Sequence, residues 1–435
     1  NEKYGLTETE EHEDEEVYIN GRKPLLSYQD LTTRLFSFEN NFFFDNGSKL
    51  KIDAGYVFNN RQELEDEHEH HEESEAHGHE EAALDMNLHT LSYNAKWNSA
   101  LWNERWMLTA GSQGMAQNNT NHGEEILIPD AKTYDFGVFA MTDFYYLQKA
   151  YWQAGLRFDT RNIASETLDK QYNSFNFSTG IYQPVAENLS FRLNLSSGFR
   201  APNMYELLSD GVHHGTNRYE IGNPGLKTEN SYQIETSLNY KTKHIEIFIN
   251  PYFNYIRNYI YLTPSAEKID NIPVFNYTQN DARLFGGEAG FHLHPHPLDW
   301  LHIESSYSGT FGQDTHDNYL ALMPSQKIKA MLGASFSFEK AVKRFSVYLQ
   351  NQYSLAQNRV AGNETSTPGY NLLNAGLTFE LGAKSQTMQL NLSANNILDK
   401  TYYDHLSRYK VDEIYNMGRS FHVKINIPFG CFMRD

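Results

Sequence analysis

The chain lacks several features that organise many proteins of 435 residues. Its one cysteine, Cys431, excludes an internal disulfide framework and any metal site built from several thiolates. No apolar run approaches the ~18 residues of a membrane-spanning helix. The N-terminus has neither a basic nor an apolar segment, so it does not read as a signal peptide. Basic residues are scarce, 36 against 55 acids, and the net charge of −19 argues against nucleic acid as a partner.

What the chain does have is aromatic residues in a polar context. Phe, Tyr and Trp make up 14% of the residues, while the mean hydropathy is only −0.64. Disordered chains contain few aromatics, so this composition excludes disorder. It favours an all-β protein in which polar and apolar residues alternate along each strand.

Alternation with a period of two recurs through nearly the whole sequence. In 232–240, Tyr232, Ile234 and Leu238 oppose Gln233 and Glu235. About seventeen such segments follow one another, most of them ten to fifteen residues long. Short turns separate them on one side, and longer polar loops, such as 59–84, 201–230, 263–280 and 400–418, separate them on the other.

Long strands, two contrasting faces and alternating short and long connections predict an antiparallel transmembrane β-barrel of the outer membrane. The alternative is a soluble all-β repeat protein such as a propeller, but no fixed repeat period is present. With an odd strand count, the first strand runs in the same direction as the last, so we expect residues 1–28, 59–84 and 201–230 on one external face. We also expect no enzymatic activity, because no nucleophile motif, phosphate loop or paired-carboxylate site is recognisable.

The negative charge is concentrated in two tracts that contain no Lys or Arg. Glu8–Glu16 has seven acids, and Glu63–Glu81 has ten; the rest of the chain, with 38 acids against 36 basic residues, is nearly neutral. Neutral imidazole suits Zn²⁺, Cu²⁺, Ni²⁺ and iron, so Glu63–Glu81 predicts several weak metal sites, with a solvated acidic loop as the alternative. Glu8–Glu16 has a single imidazole, and the interpretation we favour there is a solvated charge run, with cation binding of low specificity as the alternative. The candidate ligands are His12 in the first tract and, in the second, the five tract histidines His68, His70, His71, His77 and His79.

A third histidine-rich stretch, HLHPH, contains His292, His294 and His296 at a predicted short turn. Residues i and i+2 of a strand share a face, which permits chelation. Pro295 and Pro297 mark a turn, and the interpretation we favour is turn capping.

Several segments resemble the TonB-dependent outer-membrane receptors, and together they cover about half the chain. They are GFRAPNMYELL (198–208), GNPGLKTENSYQIE (222–235), LSANNILDKTYY (392–403) and NMGRSF (416–421). The resemblance implies a plug domain followed by 22 strands. Residues 1–435 would then be an N-terminally truncated barrel domain that holds the last seventeen strands, with 59–84 as an external loop. The plug and the contact with the TonB complex would lie upstream, and the barrel would be embedded in outer-membrane lipid.

Within that superfamily, the sequence is most similar to the zinc-uptake receptors. The similarity lies in the acidic, histidine-rich loop, in 125–140 and in 206–223, where His213 and His214 occur. It implies that the transported ligand is Zn²⁺, that no cofactor acts as a catalyst, and that His213 contributes to a discrete site above the plug. In the haem receptors a histidine in the same interval is a haem ligand, so haem or an iron–siderophore chelate is an alternative ligand. A passive porin or adhesin is the alternative of another class.

Overall fold

A computed structural model describes residues 28–64, 82, 84–123, 128–213, 218–339, 341–362, 364–383, 386–410 and 413–428. These residues form one sheet of 19 strands. Its strands are β1 Tyr28–Phe43, β2 Lys49–Leu64, β3 Leu84–Asn98, β4 Trp106–Asn121, β5 Ala131–Tyr145, β6 Tyr151–Ser165, β7 Asp169–Ala186, β8 Leu189–Arg200, β9 Asp210–His213, β10 Arg218–Ile221, β11 Glu229–Lys241, β12 Ile245–Ile269, β13 Ile272–Leu293, β14 Leu301–Asp314, β15 Lys327–Ser337, β16 Val342–Ser354, β17 Tyr370–Ala383, β18 Gln386–Asn395 and β19 Ser420–Asn426.

Seventeen of these strands form an antiparallel meander, which confirms the predicted fold class and strand count. Each pairs with the next along the chain, and β8 pairs directly with β11. The short strands β9 and β10 form a hairpin inside the β8–β11 connection, beside the helix α1 (Met204–Leu208). Among the described residues, β1 pairs with β2 and β19 with β18, and no pairing joins β1 to β19.

The period of two sorts the side chains into an apolar and a polar face. In β11, Tyr232, Ile234, Leu238 and Tyr240 are about 40% exposed, whereas Gln233 and Asn239, which alternate with them, are half-buried. A soluble protein buries the apolar face of such a sheet. An exposed apolar face is typical of a barrel wall that contacts lipid. In the part of the chain described above, no helix has the length and apolarity to cross a bilayer.

The two ends of the sheet differ. The end called here the loop end carries the start of β1, the β2–β3 and β8–β11 connections, and the β18–β19 connection. The opposite end, the turn end, carries connections such as 44–48, 242–244 and 294–300. The segments predicted to be external therefore adjoin strand ends at one and the same end of the sheet. For example, Tyr28 at the start of β1 pairs with Leu64 at the end of β2.

Two predicted loops and the predicted alternation of connections need correction. Strand β2 continues to Leu64, so the loop predicted at 59–84 begins later. The loop predicted at 263–280 is a β-hairpin, because β12 and β13 extend to a two-residue turn at Asp270 and Asn271, both with positive φ. Two such residues match the twist of the flanking strands, and Asp and Asn tolerate that conformation. The β6–β7 connection at the loop end spans only residues 166–168, against the predicted alternation.

Candidate functional site at the loop end

The histidines predicted to bind metal lie where the structure describes little. His12, His214 and the tract residues His68, His70, His71, His77 and His79 are outside the described residues. His213 ends β9, and its side chain is also outside the described part. The strand ends that border all of these residues lie at the loop end. Their role as metal ligands stays a prediction.

The first feature that the structure does describe there is an ion-pair network centred on Arg200, the last residue of β8. Its Nη1 donates to both carboxylate oxygens of Glu206 in α1, at 2.7 and 2.8 Å. Its Nε and Nη2 donate to Glu229 at the start of β11, at 2.7 and 2.8 Å. Both glutamates are buried, so one guanidinium neutralises two carboxylates and joins β8, α1 and β11.

Helix α1 begins at this network. Asn203 precedes it and accepts a hydrogen bond from the Glu206 backbone N–H at 2.9 Å, while the Glu206 side chain accepts one from the Asn203 N–H at 2.9 Å. This reciprocal capping box satisfies two backbone donors that the first helical turn leaves free. Glu206 therefore caps the helix and pairs with Arg200 at once.

The second resembling motif packs onto the first. Gly222 donates to the Ser209 carbonyl and Asn223 to the Glu206 carbonyl, both at 2.7 Å. A Cβ at Gly222 would lie 2.6 Å from the backbone of Leu207 and Leu208, a distance that real Cβ atoms do not show. The close approach of the two segments therefore requires glycine at this position.

A hydrophobic core also lies beneath these motifs. Its buried members are Ile163, Tyr172, Ala201, Leu207, Leu226 and Ile260. They come from β6, β7, the α1 segment, the 222–228 segment and β12. The loop end is therefore a packed platform, in contrast to the strands with their exposed apolar side chains.

The β9–β10 hairpin that carries His213 is anchored to this platform. Strand β10 pairs in parallel with β13, Tyr219 opposite Val274. The buried Glu220 accepts hydrogen bonds from Arg218 Nε at 2.8 Å and from Tyr277 Oη at 2.9 Å. His213 is the last residue paired across the hairpin, opposite Arg218. The backbone of His213 is therefore held in place by strand pairing.

Charge at the loop end is largely balanced within the protein. The buried carboxylate of Glu63, near the end of β2, pairs with Arg61. Tyr205 reaches across to Met86 in β3. Burial raises the pKa of its phenol, and this outweighs the opposing effect of the Arg61 charge. Four glutamates are buried in the described part of the chain, Glu63, Glu206, Glu220 and Glu229, and each has an arginine partner. Such pairing suits a structural role better than metal coordination. The sequence reasoning missed this network, although Arg200, Glu206 and Glu229 lie in the quoted motifs.

At the turn end, the structure brings together a group that the sequence only half indicated. His292 and His294 lie beside His302, the second residue of β14. One donor atom from each of these three histidines lies within 4.8 Å of the other two, which is close enough for one metal ion. Among the described residues, this is the group of three or more potential ligands that meets this distance. His296 instead contacts Asp299 at 3.4 Å. The useful signal was His302, one short turn after HLHPH.

Comparisons with known proteins agree with this architecture. The family described as TonB dependent receptor-like, beta-barrel, matches residues 4–397. The iron-regulated outer membrane virulence protein of Vibrio cholerae is 25% identical over 252 residues, which cover 53% of this chain and 37% of that protein. Heme/hemopexin utilization protein C of Haemophilus influenzae is 24% identical over 277 residues, 59% of this chain and 38% of that protein. The chain thus spans little more than a third of the curated relatives it matches.

Solved structures share the fold at low sequence identity. The copper transporter OprC superposes with a TM-score of 0.76 at 15% identity, covering 92% of this chain and 67% of that one. The FrpB iron transporter from Neisseria meningitidis gives a TM-score of 0.69 at 15% identity, covering 92% and 63%. With the strand meander, the lipid-facing apolar wall and the match over most of its length, the chain is an outer-membrane β-barrel and belongs to the TonB-dependent receptor β-barrel family.

Proposed function

We propose that this chain is the barrel portion of a receptor that captures a metal ion, zinc, at its loop end and passes it to the periplasm. The observation that carries the proposal is the position of the tract Glu63–Glu81, which starts at the end of β2 and continues in the connection to β3, in a member of this receptor family. Five imidazoles and the nine carboxylates that follow the buried Glu63 combine the ligands and the charge that attract a divalent cation.

Capture and selection would be separate tasks. The five tract histidines are irregularly spaced, so they suit several weak sites that raise the local metal concentration. His213 differs because the hairpin that bears it is held by its pairing with β13 and by the hydrogen bond from Tyr277 of β13 to Glu220. A ligand that starts from an ordered backbone loses less freedom on binding, which favours a single tight site.

The proposal also places this chain within a longer receptor. The seventeen long strands would be the C-terminal part of a 22-strand barrel, with the plug, five strands and the TonB contact upstream. Two observations support this reading. The superposition with the copper transporter OprC includes 92% of this chain and 67% of the transporter. In the described residues, β1 and β19 each have one paired edge, and an unpaired strand edge is costly in lipid.

Haem or an iron chelate is the second candidate ligand. It is supported by the names of two relatives, one iron-regulated and one for haem and haemopexin utilisation. The same His213 would then serve as an iron ligand, because imidazole binds iron as well as zinc.

Calorimetric titration of the full-length receptor with Zn²⁺ tests this assignment. His213→Ala should weaken tight binding at least tenfold, about 1.4 kcal/mol. Replacing the five tract histidines together should mainly lower the stoichiometry and the uptake at scarce metal. His316→Ala is the matched control, because His316 is an exposed histidine after β14 at the same end, and it should change neither.

Two outcomes would contradict this assignment, one in the roles of the histidines and one in the ligand. Unchanged tight binding in His213→Ala, with its loss in the five-fold variant, would reverse the roles of the two groups. Zinc binding unaffected in both, with loss of a haem absorbance band in His213→Ala, would transfer the site to haem.

A further inference from the structure

Three imidazoles converge on the polar face of the sheet at its turn end. His292 is the last polar-face residue of β13, His294 follows two residues later, and His302 begins the polar face of β14. Because His292 pairs with Glu304, and Leu293 with Ile303, the ladder sets His302 opposite His294. The ring centroids lie 4.0 Å apart for His292 and His294, and 4.4 Å apart for His294 and His302.

The donor atoms have the spacing of a metal site. His292 Nε2 and His302 Nδ1 are 3.4 Å apart, and one donor from each of the three rings lies within 4.8 Å of the others. In a tetrahedral zinc site with bonds of 2.0–2.1 Å, neighbouring ligands are about 3.3 Å apart. A fourth ligand is at hand, since Glu304 Oε1 is 3.4 Å from His292 Nε2.

Turn capping, the interpretation that the sequence favours, does not account for these rings. The turn is closed by backbone, through the Leu301 N–H donating to the Leu298 carbonyl at 2.8 Å. His296 pairs with Asp299 in the turn itself. The contacts that the structure gives the other three rings are with one another and with Glu304.

The surroundings suit a cation that arrives through the barrel. His292 and Glu304 line an open cavity of about 340 Å³ together with Glu246 and Lys329. Glu246 is already paired with Lys241 at 2.7 Å, and Lys329 is the competing positive charge on this face. Imidazole with one carboxylate, and no thiolate, selects a borderline divalent ion rather than Mg²⁺ or Ca²⁺.

We propose that His292, His294 and His302, with Glu304, bind one borderline divalent metal ion, Zn²⁺ or Cu²⁺ in class, at the turn-end mouth of the barrel. Binding follows from the side-chain geometry alone. Its role, a site that the transported ion occupies on leaving the barrel, rests on the proposed function. The two parts are therefore tested separately.

The binding test uses Co²⁺ as a spectroscopic probe of the full-length receptor, in a background where the five tract histidines are alanine. We expect the visible absorption of a tetrahedral Co²⁺ site, which Zn²⁺ displaces. His302→Ala should remove one equivalent or weaken it at least tenfold. His296→Ala, in the same turn, is the matched control and should leave the spectrum unchanged.

His302→Cys protects the test against a variant that fails to fold. A cysteine keeps a donor at that position, so Co²⁺ should bind with a new thiolate-to-cobalt charge-transfer band, which requires the sulfur to be a ligand. Unchanged cobalt stoichiometry and affinity in His302→Ala, or binding by His302→Cys without that band, would overturn the site.

Uptake of Zn²⁺ by cells tests the role. His302→Ala should slow uptake while binding at the loop end, measured by calorimetry, stays normal. Normal uptake by this variant would refute the exit role and leave the cobalt result standing. If the wild-type receptor takes up no zinc, the proposed function fails, whereas the cobalt titration still decides whether the site exists.

Discussion

The loop end and the turn end of this barrel use charged and titratable residues in opposite ways. At the loop end, buried carboxylates meet arginines, as Glu206 and Glu229 meet Arg200. At the turn end, His292, His294 and His302 meet one another. An acid neutralised by a guanidinium is part of the architecture, while imidazoles gathered without such a partner keep their lone pairs for a ligand. The number of acids or histidines in a segment therefore says less about binding than what each one faces.

The same contrast distinguishes residues that stabilise the loop end from residues that are available to bind a ligand. Arg200 and the Gly222 contact hold together the segments that carry the His213 hairpin. Disturbing them should loosen the loop end and leave the turn-end site intact. The predictions below use that independence and run from the largest expected effect to the smallest; all variants are made in the full-length receptor.

Arg200→Met should have the largest effect, a loss of about 3 kcal/mol in the local stability of α1 and the β8–β11 connection. Removing the guanidinium leaves Glu206 and Glu229 buried and unpaired, which costs more than the pair contributes. Hydrogen exchange of the α1 amides measures the change. Arg344→Met is the control, because its pairing with Glu380 is longer, at 3.8 Å, and the Arg344 side chain is 54% exposed. We expect this variant to lose less than about 0.5 kcal/mol. Equal protection of the α1 amides in the two variants would show that Arg200 does not stabilise the loop end more than Arg344 does.

Gly222→Ala should lower the local stability by about 2 kcal/mol, because its methyl group would force the 222–228 segment away from α1. Exchange rates should rise in both segments, and tight zinc binding should weaken with them. Gly362→Ala is the matched control, since nothing lies within 4 Å of its Cβ position. A Gly222→Ala protein with native protection would show that the two motifs do not depend on this contact.

Asn203→Ala should cost about 1 kcal/mol, the usual effect of losing a helix N-cap. The Glu206 side chain keeps its bonds to Arg200, so the helix should fray at its start without losing its position. Faster exchange confined to the first turn of α1 would agree with this. Loss of protection across β9 and β10 would instead give the cap a wider role.

The smallest effect concerns pH at the loop end. His405, in the β18–β19 connection, is 5% exposed, and its Nδ1 bonds to Thr367 Oγ1 at 2.8 Å. Burial, and then Lys410, lower the pKa of this imidazole. Below about pH 6.5 the unfolded chain binds a proton that the folded one resists, so stability should fall with pH, by no more than about 0.8 kcal/mol at pH 6.

Thermal unfolding between pH 8 and pH 5 measures this effect, with His405→Gln as the comparison. The variant should show a flatter dependence over the range in which the imidazole titrates. Exposed His422→Gln is the control and should retain the wild-type slope. Identical slopes in all three proteins would show that His405 does not titrate with folding.

Alternation along the chain was enough to predict the long strands and their order, because a barrel strand must show one face to lipid and the other to the interior. The prediction was wrong where a paired segment has a polar sequence. The 263–280 segment is polar enough to suggest a loop, yet β12 and β13 pair through it to a turn at Asp270 and Asn271. The motif resemblance indicated the family, which the comparison confirmed, while the zinc ligands remain a prediction.

By itself, the sequence determined the class of fold, the seventeen long strands and the segments in which histidine and acid accumulate, because all of these depend on neighbours along the chain. Only the tertiary structure decided which charges are already satisfied and which imidazoles meet. Arg200 and Glu229 are 29 positions apart, and His302 reaches His294 only through the register of β13 against β14. Such contacts are set by strand pairing and packing over long sequence separations, where local patterns carry no information.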